Sequence, residues 1–312
     1  MNSQSISEEI KKYSFSIGFS KVGIAHPQLY SSDEKYLKDW ISKGYNSEMK
    51  WMERNIEKRS NVFNYYPEVK SIISLALNYY HGTAEENQEI GKVSNYAWGK
   101  DYHIIMKEKM GDILNHIKNS FDINGICCVD TSPVLDKAWA QRAGIGWIGK
   151  HTNLISKEFG SWIFLGEILV DTELQYDNNF EEDLCGTCTL CIDECPTGAL
   201  DEAYTLDANK CISYITIEHR GEHSDDMRKK IDNWIFGCDI CQEVCPWNIK
   251  FSKYSDEELF NNKKDIINKP LSELQKISKE KFKEDFKDSP ISRTKYDGFV
   301  RNIKNVIENN KV

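Results

Sequence analysis

Cys185-Gly-Thr-Cys-Thr-Leu-Cys-Ile-Asp-Glu-Cys-Pro196 is the stretch on which the reading of this chain turns. Its spacing, C-x2-C-x2-C-x3-C-P, is a run that holds cubane iron–sulfur clusters. Three thiolates so close together wrap one corner of a cluster, and the fourth, beside proline, points to a second cluster. A second run, Cys238, Cys241 and Cys245-Pro246, repeats the last three cysteines, and its missing first ligand is most simply Cys211. The assignment that follows puts Cys185, Cys188, Cys191 and Cys245 on one [4Fe–4S] cluster and Cys195, Cys211, Cys238 and Cys241 on the other. The competing reading, two zinc sites of four thiolates each, suits separated cysteine pairs better than these runs. Cys127 and Cys128 sit on an apolar strand with no partner at metal spacing and read as buried structural thiols.

Around this segment the chain has 312 residues, enough for a large domain with smaller ones beside it. No apolar run approaches the ~18 residues of a membrane helix; the longest candidate, Trp162 to Val170, has Glu167 inside it. The polar, acidic Met1 to Ile10 resembles neither a signal nor a transit peptide. A cytoplasmic location is therefore expected, where thiols stay reduced and cysteines at these short spacings read as metal ligands and not as disulfides. The net charge of −9 argues against indiscriminate nucleic-acid binding. Between Glu158 and Asn209 there is no Lys or Arg, whereas residues 251–312 carry 14 basic and 11 acidic residues. A polyanion would meet the tail or the N-terminal half.

Helices are predicted at Ser7–Ile17, Ser32–Lys43, Tyr102–Phe121 and Ser132–Ala143, the last with Pro133 in its first turn. Strands are predicted at Lys21–Ala25, Ser71–Tyr80 and Gly125–Asp130, and as a pair, Thr152–Ile155 with Trp162–Asp171, around Gly160. This alternation predicts an α+β organisation: a domain over 1–175, the cluster segment over 176–250 and a helical basic tail over 251–312. In the tail, Leu271, Leu274, Ile277 and Phe282 are the apolar positions. Arg293, Lys295, Arg301 and Lys304 around Tyr296 and Phe299 form a basic patch with interleaved aromatics, suited to phosphates and stacked bases. Alone, it reads almost equally well as a solvated helix.

Beyond the cysteines, Asp130-Thr-Ser-Pro133, Ala143-Gly-Ile-Gly-Trp-Ile-Gly-Lys150, Trp98-Gly-Lys-Asp-Tyr-His103 and Ile56-Glu-Lys-Arg59 occur in order along the chain. Together they resemble the epoxyqueuosine reductase family. The resemblance implies a cobalamin-dependent oxidoreductase that removes the epoxide oxygen of epoxyqueuosine in a tRNA anticodon loop. It implies a nitroreductase-like cobalamin-binding domain, related to reductive dehalogenases, ahead of a ferredoxin-like domain with two [4Fe–4S] clusters. An electron donor of the flavodoxin or ferredoxin kind and a monomeric state are expected with it. Ser132 stands where members usually have glycine, and the long C-terminal helical-repeat domain of some members has no counterpart here.

Locally, Asp130 reads as a helix cap or turn residue; the resemblance places it at the proton donor, a carboxyl with a raised pKa. Arg59 reads as a solvated helix residue, and the resemblance places it at the cobalamin. Ser94, Leu154 and Ser213 resemble further cobalamin contacts. Gly144, Gly146 and Gly149 fit GxGxxG but follow a helix, so close approach of backbone to the corrin explains them better than dinucleotide binding. Asp101-x-His103 lacks the glycine of the cobalt-ligating motif, since Met106 stands there, and His103 reads as a helix-surface residue. Cobalamin without a protein histidine ligand follows. The alternatives are a plain two-cluster electron carrier, for which the N-terminal domain is superfluous, and a dehalogenase-like reductase of a small molecule.

Overall fold

Ser71–Asn78 (SIISLALN) has no charged residue, and all eight of its residues are buried. A strand of that kind belongs at the centre of a sheet covered on both faces. In the computed structural model, which describes residues 2–84 and 87–310, it lies between Lys21–Ala25 and Ile163–Val170, with Gly125–Cys128 beyond the latter. All three pairings are antiparallel. One face packs Ile73, Leu75, Ile168 and Val170 against Ile10 of the first helix, Ser3–Ser16, and against Ile105, Met110, Ile113 and Ile117 of Tyr102–Phe121. The other packs Ile72, Ala76 and Leu169 against Trp139 and Ala140 of the helix Asp136–Arg142. Alternation of side chains along each strand separates these two cores. It also puts Ser74 and Glu167 on the Asp136 side.

Two local expectations are corrected. The helix expected from Ser132 starts at Asp136. Strand Gly125–Cys128 ends early, Asp130 adopts φ +23°, and the chain turns through Ser132, whose N–H reaches Val129 O at 3.0 Å, so Pro133 precedes the helix. The second concerns strand pairing. Leu154–Ile155 pairs with Trp147–Ile148, not with Ile163–Val170, whose two edges are filled by Ser71–Asn78 and Gly125–Cys128. Only the Ser156–Gly160 bridge keeps the expected turn.

The segment from residue 172 onward crosses to the cysteine runs, and the tail then folds back. Trp234–Phe236 pairs in parallel with Lys92–Val93. Ile235 and Phe236 share a third core with Trp98 and with Leu271, Leu274, Phe282, Phe286, Phe299 and Ile303 of the tail. The tail is thus packed against both halves of the chain. Residues 1, 311 and 312, at the outer limits of the expected domains, lie outside the described residues. Among the described residues no helix is long and apolar enough to cross a membrane.

Candidate functional site

The eight paired cysteines fall into two groups in space. Cys185, Cys188, Cys191 and Cys245 line a cavity of ≈ 190 Å³ together with Lys150, His151 and Trp247. Cys195, Cys211, Cys238 and Cys241 line part of a second cavity of ≈ 380 Å³. The short turns after Thr189 and Asp239 and the helix that Pro246 opens aim the thiols inward. Among the described residues no three His, Cys, Asp or Glu side chains converge on a point where a single ion could sit. The four thiols of each group line a cavity, and the spacing of their runs suits a multi-iron cage better than zinc. Burial, then Cys245, Cys185 and Cys188, push the Cys191 thiol up to about 11. Such thiols become thiolates at neutral pH only with a metal's charge beside them.

The larger cavity lies between the sheet and the cysteine segment. Tyr102, Leu154, Ile163, Phe164 and Leu165 give it an apolar wall, and Asp130, Asp136 and Lys137 bring charges to it. Asp130 sits where the strand breaks, its side chain 58% accessible and facing this space. Tyr102 donates to Asp130 Oδ2 at 2.9 Å, and His103 Nε2 lies 3.3 Å from the same oxygen. Asp101 caps the Tyr102–Phe121 helix by accepting from the His103 N–H at 2.9 Å, and its Oδ1 also meets His103 Nδ1 at 2.8 Å. The helix start therefore presents Tyr102 and His103 to Asp130, and the Tyr102 ring is fixed by stacking on Phe164 at 4.3 Å.

The electrostatics follow from this geometry. Burial lowers the basicity of His103, but its hydrogen bond to Asp101, its close contact with Asp130 and their charges overcome that and raise its pKa to about 9. Burial would raise the Asp130 pKa; the close contact and charge of His103, then the Tyr102 hydroxyl, hold it below the usual carboxylate range. Around Asp130 the His103 contact therefore opposes the rise expected from an apolar neighbour and favours the proton on His103. His103 is correspondingly half-buried and bridges Asp101 and Asp130; it is not a helix-surface residue.

Of the other expected residues, Ser94, Leu154 and Ser213 line the same cavity, with the Ser94 hydroxyl donating to Asp239. Arg59 is outside that lining. It sits half-buried on Ile56–Ser60, its guanidinium 5.7 Å from the Trp51 ring and its Nε without a hydrogen-bond partner. Burial lowers its pKa, while the charges of Asp136 and Asp130 act against that. The expected corrin approach at the glycines is corrected for Gly146. A Cβ there would stand 2.0 Å from the Ile155 carbonyl oxygen, so the paired strand Leu154–Ile155 requires the glycine.

The basic patch of the tail is also corrected. Phe299 is 0% exposed and packs on Phe282 and Phe286. The Arg301 guanidinium donates to the carbonyls of His219, Gly221 and Ile215. Arg293 pairs with Glu218 at 2.7 Å. Only Lys295 and Lys304 of the expected group are exposed without a described ion pair. Sequence reasoning missed the parts played by Tyr102, Asp136 and Glu167. Glu167 was the detectable one, as a charge inside an otherwise apolar strand.

Two family models match the chain: "4Fe-4S double cluster binding domain" over residues 184–248 and "Epoxyqueuosine reductase QueG, DUF1730" over residues 59–131. The epoxyqueuosine reductase of Cellulophaga algicola is 43% identical over 300 residues, covering 95% of this chain and 96% of the relative. A crystal structure of epoxyqueuosine reductase with an epoxyqueuosine-modified tRNA-Tyr stem loop superposes with a TM-score of 0.92 at 34% identity, over 99% of this chain and 83% of that one. The catabolic reductive dehalogenase NpRdhA shares the fold alone, with a TM-score of 0.51 at 16% identity over 86% of this chain and 34% of the other. With identity above 40% along almost its whole length to a named member, this chain belongs to the epoxyqueuosine reductase family.

Proposed function

We propose that the protein reduces epoxyqueuosine in the anticodon loop of a tRNA to queuosine, using cobalamin and two [4Fe–4S] clusters. The observation that carries this reading is the cavity in which Asp130 and one complete set of four thiols line the same space. The chain supplies one cage of four thiols away from that space and one inside it, an arrangement for passing single electrons inward. Cys185, Cys188, Cys191 and Cys245 would ligate the outer cluster; Cys195, Cys211, Cys238 and Cys241 would ligate the inner one. The layout proposed with it is a nitroreductase-like domain followed by a ferredoxin-like one.

The residues around the larger cavity fit cobalamin. The apolar wall suits a macrocycle face, and His151 supplies a buried Nε2 with no partner, the other ring nitrogen accepting from the Asn153 N–H at 3.2 Å. Arg59 Nε, beside the cavity, is a second unpaired donor for the cofactor's amides. Ser94, Leu154 and Ser213 would contact it from the lining. When bound, cobalamin would supply low-potential electrons at the reacting carbon. The chain's own part is acid chemistry and exclusion of water: Asp130, with His103 behind it, delivers a proton to the departing oxygen.

An electron donor of the flavodoxin or ferredoxin kind would dock on the acidic stretch from Glu158 to Asn209, and the protein would act as a monomer. The test is conversion of epoxyqueuosine tRNA by anaerobically reconstituted protein with a chemical reductant. The unmutated chain should bind about eight iron and eight sulfide by its two cubanes. Cys211→Ala should lose about half of the iron and all turnover, while Cys127→Ala keeps both. Full cluster content without conversion of the tRNA would refute the proposed substrate.

A further inference from the structure

Glu167 stands in the middle of the strand Ile163–Val170 and is 0% exposed. Ser74, across the sheet, donates to its Oε1 at 3.1 Å, and its Oε2 has no described donor. Asp136, the first residue of its helix, lies against Glu167 on one side and lines the Asp130 cavity on the other. Its Oδ1 likewise has no described donor. Two carboxyls in contact, each with a bare oxygen, satisfy each other only if a proton lies between them. The groups facing the pair do not neutralise two negative charges. Asp130 adds another, the Cys128 thiol is neutral, and among the described residues the cations acting on Asp136 are Lys137 and Arg59, so three carboxyls share two cations.

We propose that the Asp136–Glu167 pair holds one proton at the base of the cavity and delivers it, through Asp136, to Asp130. This inference rests on the function proposed above. Reduction of an epoxide to an alkene takes two electrons and two protons and releases water. The electrons come one at a time from a flavodoxin- or ferredoxin-like donor. As the first C–O bond breaks, the oxygen takes a proton from Asp130, drawn from His103. As the second breaks, the alkene forms and the hydroxide leaves as water with a second proton. His103 accounts for one of the two, and the carboxyl pair is the second store on the same cavity. Burial, then the charge of Asp130, raises Asp136 above the usual carboxylate range, and burial together with Asp136 lifts Glu167 well above it. A proton stored there at neutral pH can therefore be given up.

The test uses Glu167→Gln, which keeps the shape, can still accept from Ser74 and can donate to Asp136, but holds no transferable proton. Infrared spectra of the full chain should contain a protonated-carboxyl band at pH 6 that disappears at more alkaline pH, with a midpoint above the ordinary carboxylate range as the pair gives up its proton, and that Glu167→Gln lacks. In the loaded enzyme, kcat of the unmutated protein should fall as pH rises through that midpoint. Glu167→Gln should lose that limb and roughly 10–100-fold in kcat at pH 7, with KM for the tRNA unchanged. Asp136→Asn should do the same, which guards against a folding defect of one variant. Absence of the band, or the band with an unchanged kcat and pH limb in both variants, would overturn the inference. A titrating band in an unmutated enzyme that converts no epoxyqueuosine tRNA would instead overturn the functional reading, and the delivery step with it.

Discussion

The cavity around Asp130 and the basic segment of the tail have the same ingredients, charged side chains interleaved with aromatics. At the cavity, Tyr102, His103 and Asp130 are tied to one another and face open space. In the tail, Arg301 is tied to three backbone carbonyls, Arg293 to Glu218, and Phe299 fills a core. Composition does not separate the two. What does is where the polar atoms find their partners. Groups satisfied by backbone are structural, and groups satisfied by each other around an empty volume are available for chemistry.

The largest effect that can break this comparison is at Asp130. Asp130→Asn keeps the size and can still bond to Tyr102, but it carries no acidic proton. Cluster content and cofactor loading should be unchanged, and turnover of epoxyqueuosine tRNA should fall by roughly 10²–10⁴. Near-normal turnover at full loading would leave Asp130 as a turn residue only, no different in kind from the tail.

The tail makes the opposite prediction. Arg301→Met keeps the aliphatic stem in the core but strands the carbonyls of Ile215, His219 and Gly221. Folding stability should drop by about 3 kcal/mol, the scale for losing bonds to a charged donor and leaving acceptors buried. Once folded, the variant should bind tRNA as before. Denaturant titration with a tRNA-binding measurement separates the two, and weaker binding at unchanged stability would return Arg301 to the nucleic-acid surface.

A smaller effect is the pH dependence of stability at His103. Its folded pKa of about 9 lies above the unfolded value near 6.5. The stabilisation is therefore fully present below pH ~6.5 and is lost as pH rises through ~9. Asp130, depressed by the same contact, places the acid limb below the ordinary carboxylate range. With the His103 side chain 23% exposed, the contribution should be of order 1–2 kcal/mol after solvent screening. Thermal melts of the unmutated protein and His103→Gln from pH 6 to 9.5 should converge at the alkaline end. Parallel curves would mean that the pair does not form.

Much of this was legible in the sequence, and the physical reasons for the rest are specific. Lys21–Ala25 and Tyr102–Phe121 have the expected bounds because each carries its own periodicity. Helix Asp136–Arg142 was expected too early because the positive φ at Asp130 is a tertiary choice with no glycine to announce it. Leu154–Ile155 was given the wrong partner because two residues hold too little pattern to choose a neighbour. The division of the cysteines between two spaces follows from the spacing of the runs. The partners of Asp130 do not, since they come from a helix start 28 residues earlier in the chain. The tail misled for the converse reason: a period of 3.6 marks which residues share a face but not whether Arg301 lies on the buried side of it.

The smallest effect concerns what remains exposed on the tail. With Phe299 in the core it cannot stack on a base, and of the expected group only Lys295 and Lys304 are exposed without a described ion pair. Lys295→Gln removes the charge while keeping the length of the side chain, and Lys304→Gln keeps a helix former at an exposed position. If the tail touches tRNA through these two groups, the double variant should lose about three- to tenfold in affinity at physiological salt. The slope of log K against log salt should fall by at most about 2, one unit per phosphate contact, with kcat unchanged. An unchanged slope would take these two lysines out of the interface and leave their helix as a packing element. A fall in kcat would be the more instructive failure. It would mean that charges outside the cavity hold the tRNA in the reacting position, and then the tail and the Asp130 cavity could not be treated as separate regions.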